Sequence, residues 1–189
     1  MPIVRRERIA MRIVRVAVVL LLGVLLVTAF ACAGGSGQGS APAGWSTYSN
    51  SSLGFSIQYP QDWTKWEGRM GAVMFVTPKG SIASAIVMIG CYDAETATLT
   101  DDYVNECILA LKSTFPDANV SESSAITVDG MPAHKFVYTT NTNNSLMKAM
   151  DIHSIKDSKD YTVYYLAASA NYTVNLETVQ QMIASFKFY

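Results

Sequence analysis

His134, Asp151 and His153 are the residues whose types and spacing could do chemistry, and they include both histidines of the chain. If 132–140 and 145–156 form a hairpin in which Thr140 meets Ser145, His134 falls opposite Asp151. His153 then lies two residues along on the same face, opposite Pro132. Two imidazoles and a carboxylate on one face are ligand types for zinc, manganese or copper. A register slip of one residue would put the histidines on separate faces. A surface His–Asp pair without a metal uses the same three residues.

Two thiols invite a second kind of chemistry. Cys91 ends an apolar run and Cys107 sits two turns into the following helical segment. In an exported chain such a pair suggests a structural disulfide, which would stabilise the fold by about 3 kcal/mol in the chain-entropy picture. The alternative is two buried thiols, each packing as a small hydrophobe. Motifs of enzymes are lacking: the sequence holds no Gly-x-Ser-x-Gly, no His-Glu-x-x-His and no phosphate-cradling glycine loop. Asp101-Asp102 reads as the acidic first turn of a helix. The expectation is a protein that is not an enzyme and needs no cofactor, a divalent metal being the one candidate.

Cys32 says where the protein works. Arg5, Arg6, Arg8, Arg12 and Arg15 precede an apolar run from Val16 to Ala31, and the glycine- and serine-rich stretch 33–40 follows. A basic flank, an apolar core and small residues before a cut make a secretory signal. A cysteine at the cut resembles a lipoprotein signal, with Cys32 lipidated as the new amino terminus. Ala29-Phe30-Ala31 also fits ordinary Ala-x-Ala cleavage. Retention as an anchor is a third reading, although the run is short of the ~20 residues of a spanning helix. All three put the folded part outside the cytoplasm, and the first anchors it to the cell membrane.

The division that follows is a signal at 1–31, a lipidated Cys32 with linker at 32–44, and one domain at 45–189. Without residues 1–31, which hold five arginines and one glutamate, 9 basic residues face 14 acidic ones, a net of −5. That balance excludes an electrostatic footprint for nucleic acid. A linker of a dozen such residues has a root-mean-square reach of about 20 Å. Four Asn-x-Ser/Thr triplets, at Asn50, Asn119, Asn143 and Asn171, are what a chain rich in Ser, Thr and Asn makes by chance.

The domain must position these residues on strands and two helices. Short β-type runs are expected at 46–50, 55–59, 72–77, 82–89, 125–128, 132–140, 145–156 and 161–170, separated by turn residues such as Asp129-Gly130. Thr100 is an N-cap candidate, and Val104, Cys107, Ile108, Leu111 and Phe115 recur at helical spacing until Pro116. A closing helix near 174–185 buries Val179, Met182, Ile183 and Phe186. Hairpin-joined strands with separated helices give an α+β class with a mostly antiparallel central sheet.

Some segments carry a resemblance. Trp45-x-x-Tyr48, the run Gly54-Phe55-Ser56-Ile57-Gln58-Tyr59-Pro60-Gln61-Asp62-Trp63, Val73-x-Phe75-x-x-Pro78, Asp129 to Ala133 and Ser185-Phe186 together resemble PsbP-like domains over about residues 45–188. The resemblance implies an α/β/α sandwich, shared with a Ran-binding nuclear-import factor, and no catalytic residues. The photosystem role of the plant protein depends on an amino-terminal region that signal and linker replace here, so it does not transfer with the fold. Divalent-metal binding within the family adds weight to His134, Asp151 and His153. Alternation in 55–59 also explains that signature by packing alone, with Phe55, Ile57 and Tyr59 turned to the core.

The functional expectation is an accessory or protein-binding module of the cell envelope, tethered through Cys32 and docking an unidentified envelope protein. Tyr161, Tyr164, Tyr165 and Tyr172 are candidate interface anchors, with core packing as the other use of the same rings. A binder of a divalent metal or another small ligand is the alternative function.

Overall fold

A computed structural model describes residues 41–68 and 72–189. Cys32, the expected signal at 1–31 and most of the expected linker at 32–44 lie outside the described residues. The strands are β1 (Trp45–Asn50), β2 (Phe55–Pro60), β3 (Thr64–Glu67), β4 (Val73–Val76), β5 (Ala85–Asp93), β6 (Asn119–Val128), β7 (Met131–Thr142), β8 (Ser145–Lys156), β9 (Lys159–Ala168) and β10 (Lys187–Phe188). Helix α1 spans Asp101–Thr114 and helix α2 spans Leu176–Ala184, the latter preceded by a 3-10 turn at Ser169–Asn171.

Seven strands form one antiparallel sheet in the order β3-β4-β5-β9-β8-β7-β6, and β1-β2-β10 form a smaller one. Period-two alternation gives the large sheet two apolar faces. Val73, Phe75, Val87, Ile89, Ile152, Val163 and Tyr165 point one way, into a core closed by Phe55 and Ile57 of the small sheet and by Val179, Met182 and Phe186 at α2. Met88, Phe136, Tyr138, Ala149 and Tyr164 point the other way and meet the stripe on α1. The α+β class with a central antiparallel sheet is therefore as expected.

Helix α1 forms where its sequence says. Thr100 has extended backbone and its hydroxyl accepts from Tyr103 N at 3.2 Å, satisfying one of the free amides of the first turn. Asp101 and Asp102 occupy that turn. Val104, Cys107, Ile108, Leu111 and Phe115 all pack on the sheet.

The hairpins are tighter than expected. Asn143 and Asn144 take φ of 51° and 62°, so two residues make the turn and Thr142, not Thr140, starts the pairing with Ser145. Such mirror-image turns match strand twist, and Asn tolerates them. Asp157 and Ser158 do the same between β8 and β9. Pairing shifts by two residues: His134 faces His153, and Asp151 faces Phe136. A shift of two preserves the side to which each residue points.

The sheet thus has two ends. At one lie the Asp129–Gly130 and Asp157–Ser158 turns; at the other lie Asn143–Asn144 and the loop 77–84. Asp129 accepts from Phe188 N at 3.0 Å and from Lys187 Nζ at 2.7 Å. Phe188 in turn pairs with Phe55. The Asn50–Phe55 hairpin therefore sits at the Asp129 end, and Trp45, paired with Pro60, lies at the opposite one.

Candidate functional site

Beneath α1, side chains from β8 and β9 converge with one from the helix. Asp151 and His153 lie two apart on β8, and Asp160 and Thr162 lie two apart on β9, so all four share one face. His153 Nδ1 is 2.9 Å from Asp160 Oδ2, and its Nε2 is 3.4 Å from Asp151 Oδ2. Tyr103 of α1 donates its hydroxyl to Asp160 Oδ2 at 2.7 Å. Thr162 Oγ1 reaches the same oxygen at 3.4 Å.

Burial alone would push the His153 imidazolium toward neutrality. The Asp160 and Asp151 carboxylates outweigh that and hold its pKa well above the ordinary histidine value. The ring is thus a cation between two carboxylates. Burial pushes the Cys107 thiol up to about 11. It stays protonated at neutral pH and is no nucleophile, because the thiolate is the reactive form. Among the described residues, Asp151 Oδ1 and Asp160 Oδ1 are buried without a hydrogen-bond partner.

His134 does not join this cluster. Its Nε2 lies 2.9 Å from Ser123 Oγ on β6, and its ring packs on Phe136 at 4.8 Å. Burial and the charge of His153 lower its pKa. The ligand set His134, Asp151 and His153 is therefore corrected: Asp151 and His153 pair with each other, and His134 turns away. Among the described residues no group of three or more His, Cys, Asp or Glu is arranged to hold a metal ion.

The disulfide is corrected as well. Cys91 and Cys107 are free thiols, and the large sheet stands between them. Cys91 belongs to the core on the α2 side, whereas Cys107 packs from α1 on the other face. The four tyrosines proposed as interface anchors are all buried. Tyr161 donates to Leu53 O at 2.7 Å and Tyr165 to Tyr172 O at 2.6 Å. Tyr164 faces the α1 layer beside Tyr138. Core packing is their role.

An open concavity lies on the other face, at the Asp129 end. A groove of ≈ 380 Å³ runs between β6–β8 and α2, floored by Ile126, Met150 and Ile152 and walled by Gln180 and Ile183, with Lys135 and Asp129 at its margin. Among the described residues strand β6 is the outer strand of the large sheet, so one row of its backbone groups faces no neighbouring strand there. A bulge between Val120 and Glu122 interrupts its pairing near one end and leaves 122–128 regular. The arrangement suits an extended segment that adds to the edge and lays side chains in the groove. Sequence reasoning missed it, because it depends on where α2 docks.

Comparisons with known proteins agree with this architecture. The solution structure of cyanobacterial PsbP (CyanoP) from Synechocystis sp. PCC 6803 superposes with a TM-score of 0.60 at 15% identity, covering 82% of this chain and 98% of that one. LpqN, described as involved in cell envelope biogenesis of Mycobacterium tuberculosis, gives 0.53 at 11% identity, covering 76% and 89%. The Ran-binding protein Mog1p of Saccharomyces cerevisiae gives 0.55 at 6% identity, covering 76% and 95%. At such identities the likeness is one of fold. No curated protein matches the sequence. The PsbP-like protein family matches residues 35–188, and by that match over most of its length the chain belongs to the PsbP-like family.

Proposed function

We propose that this protein is a non-enzymatic PsbP-like binding module of the cell envelope, anchored to the membrane through lipidated Cys32. It takes an extended segment of an envelope protein along β6 and into the groove beside α2. One contrast carries the reading: Tyr103 of α1 closes over the cluster of Asp151, His153 and Asp160, while an open groove with Ile126, Met150, Ile152 and Ile183 in its lining flanks the outer edge of β6. Main-chain pairing would supply affinity, and Ile126, Ile152 and Ile183 would receive alternate side chains. The description of LpqN as involved in cell envelope biogenesis supports the setting. The basic flank, the apolar run and Cys32 support the anchor.

In-cell photocrosslinking from Thr127 and Gln180, with the exposed Leu109 of α1 as control, tests the proposal. One envelope protein captured from both groove positions, absent from Leu109 and lost in an Ile183→Arg variant of unchanged stability is the expected result. Equal capture from all three positions, or capture indifferent to Ile183→Arg, overturns the docking site.

A further inference from the structure

Six large apolar side chains stand exposed among the described residues: Trp66, Ile82, Leu109, Leu146, Val174 and Tyr189. Three of them gather at the end of the sheet opposite Asp129. Ile82, 99% exposed, lies in the loop before β5; Leu146, 51% exposed, follows the Asn143–Asn144 turn; Val174, 65% exposed, lies between β9 and α2. These segments are tied together. Asn175 donates to Ala83 O at 3.0 Å and Asn171 to Ile82 O at 3.4 Å. Met147 pairs with Ala168, and Lys148 sits 4.8 Å over the ring of Tyr172.

The amino-terminal segment joins the domain at this same end. Trp45 pairs with Pro60, and Gln61 N bonds Gly44 O at 2.9 Å. Three residues later Thr64 pairs with Val76, next to the 77–84 loop that carries Ile82. From Cys32 to Trp45 the linker spans at most about 45 Å even fully extended. Trp45 itself is half-buried, an amphipathic ring at the point where the linker arrives.

We infer that this end is a membrane-contact tip, in which Ile82, Leu146 and Val174 enter the interfacial layer of a lipid bilayer. The inference rests on the proposed anchoring at Cys32. The tether enters the domain at this end, and among the described residues that end holds half of the exposed large apolar side chains. Standing on separate loops and a hairpin, they suit a fluid interface, where tryptophan also favours the headgroup level. Lys79 and Lys148 near the tip are offset by Asp62, Asp117 and Glu177, so apolar insertion rather than charge drives contact and added salt leaves it in place. The tip points toward the bilayer, and the groove at the Asp129 end points away from it.

The full chain, expressed with its signal and reconstituted in vesicles of phosphatidylethanolamine and phosphatidylglycerol, allows a direct test. Nitroxide labels are placed by Ile82→Cys, Val174→Cys and, as the groove-end control, Thr127→Cys, with Cys91 and Cys107 shielded in the fold. Collision with oxygen relative to a water-soluble nickel chelate is expected to be several-fold higher at 82 and 174 than at 127, in low and high salt alike. Introducing Leu146→Asp should bring the label at 82 back toward the value at 127. Equal water exposure at all three positions in a membrane-bound protein overturns the tip alone. A protein that leaves the membrane fraction altogether overturns the anchor and the tip together.

Discussion

Tyr103 on α1 and Asp160 on β9, 57 residues apart in the chain, meet through a 2.7 Å hydrogen bond that also fixes one partner of His153. Helix and sheet are thereby joined by a charge-assisted contact at one end and by the apolar stripe along the rest. Removing the hydroxyl by Tyr103→Phe should cost about 1.5–3 kcal/mol, since the acceptor is charged. Urea unfolding measures the loss, and hydrogen exchange should show α1 opening before the sheet.

Charge on His153 gives the fold a pH dependence of known sign. Its folded-state pKa lies above the ordinary 6.5, so its contribution is complete below that value and is lost as pH rises through the folded one. The denaturation midpoint should therefore fall on the alkaline side of neutrality. A His153→Gln variant, less stable at pH 6, should show a flatter profile there. An unchanged slope would mean that His153 is neutral in the folded protein.

Both thiols should remain reduced in the purified protein under air, unreactive when folded and accessible on unfolding. Cys91→Ala is expected to cost about 1–2 kcal/mol through lost packing, with no dependence on reductant. Intact mass after alkylation in denaturant counts the two free thiols directly.

Two glycines with similar backbone should respond differently. Gly54 has φ of +72°, and a Cβ there would lie 2.6 Å from Tyr189 O; Gly130 has φ of +75° with open space around it. Gly130→Ala should cost about 1–2 kcal/mol from left-handed backbone alone. Gly54→Ala adds a collision with main chain, so it should be the more damaging and should loosen β10. Thermal melting of the two variants side by side decides this.

How much of this was legible in the sequence varied by element. Helix α1 was, because its cap, its apolar period and its proline stop all agree. The alternation in 55–59 placed Phe55, Ile57 and Tyr59 toward the core: the first two are fully buried, and Tyr59 is half-buried with its ring 4.5 Å from that of Phe75. Strands at the sheet edges were not legible: β3 is exposed throughout, and the first half of β6 is polar, since an edge strand buries little. The His–Asp cluster was half legible. Asp151 and His153 were placed on one face, but Asp160, their decisive neighbour, was assigned to a turn. A two-residue Asp157–Ser158 turn returns Asp160 to the strand, and only paired positive φ values distinguish the two cases. The thiols misled for a related reason: proximity in sequence says nothing about which face of a sheet each will occupy.

The small sheet has a consequence for how the chain is made. Strand β2 lies between β1, next to it in sequence, and β10, while Tyr189 Oη closes on Phe55 O across 134 residues. The four strands β6–β9 zip as successive local hairpins, but this last closure is as non-local as the domain allows. Phe55 and Phe186, whose rings stack at 5.4 Å, stay unsealed until residue 188 has emerged, so the local hairpins can form on the ribosome while the small sheet and the core beneath it close only after the last residues are made.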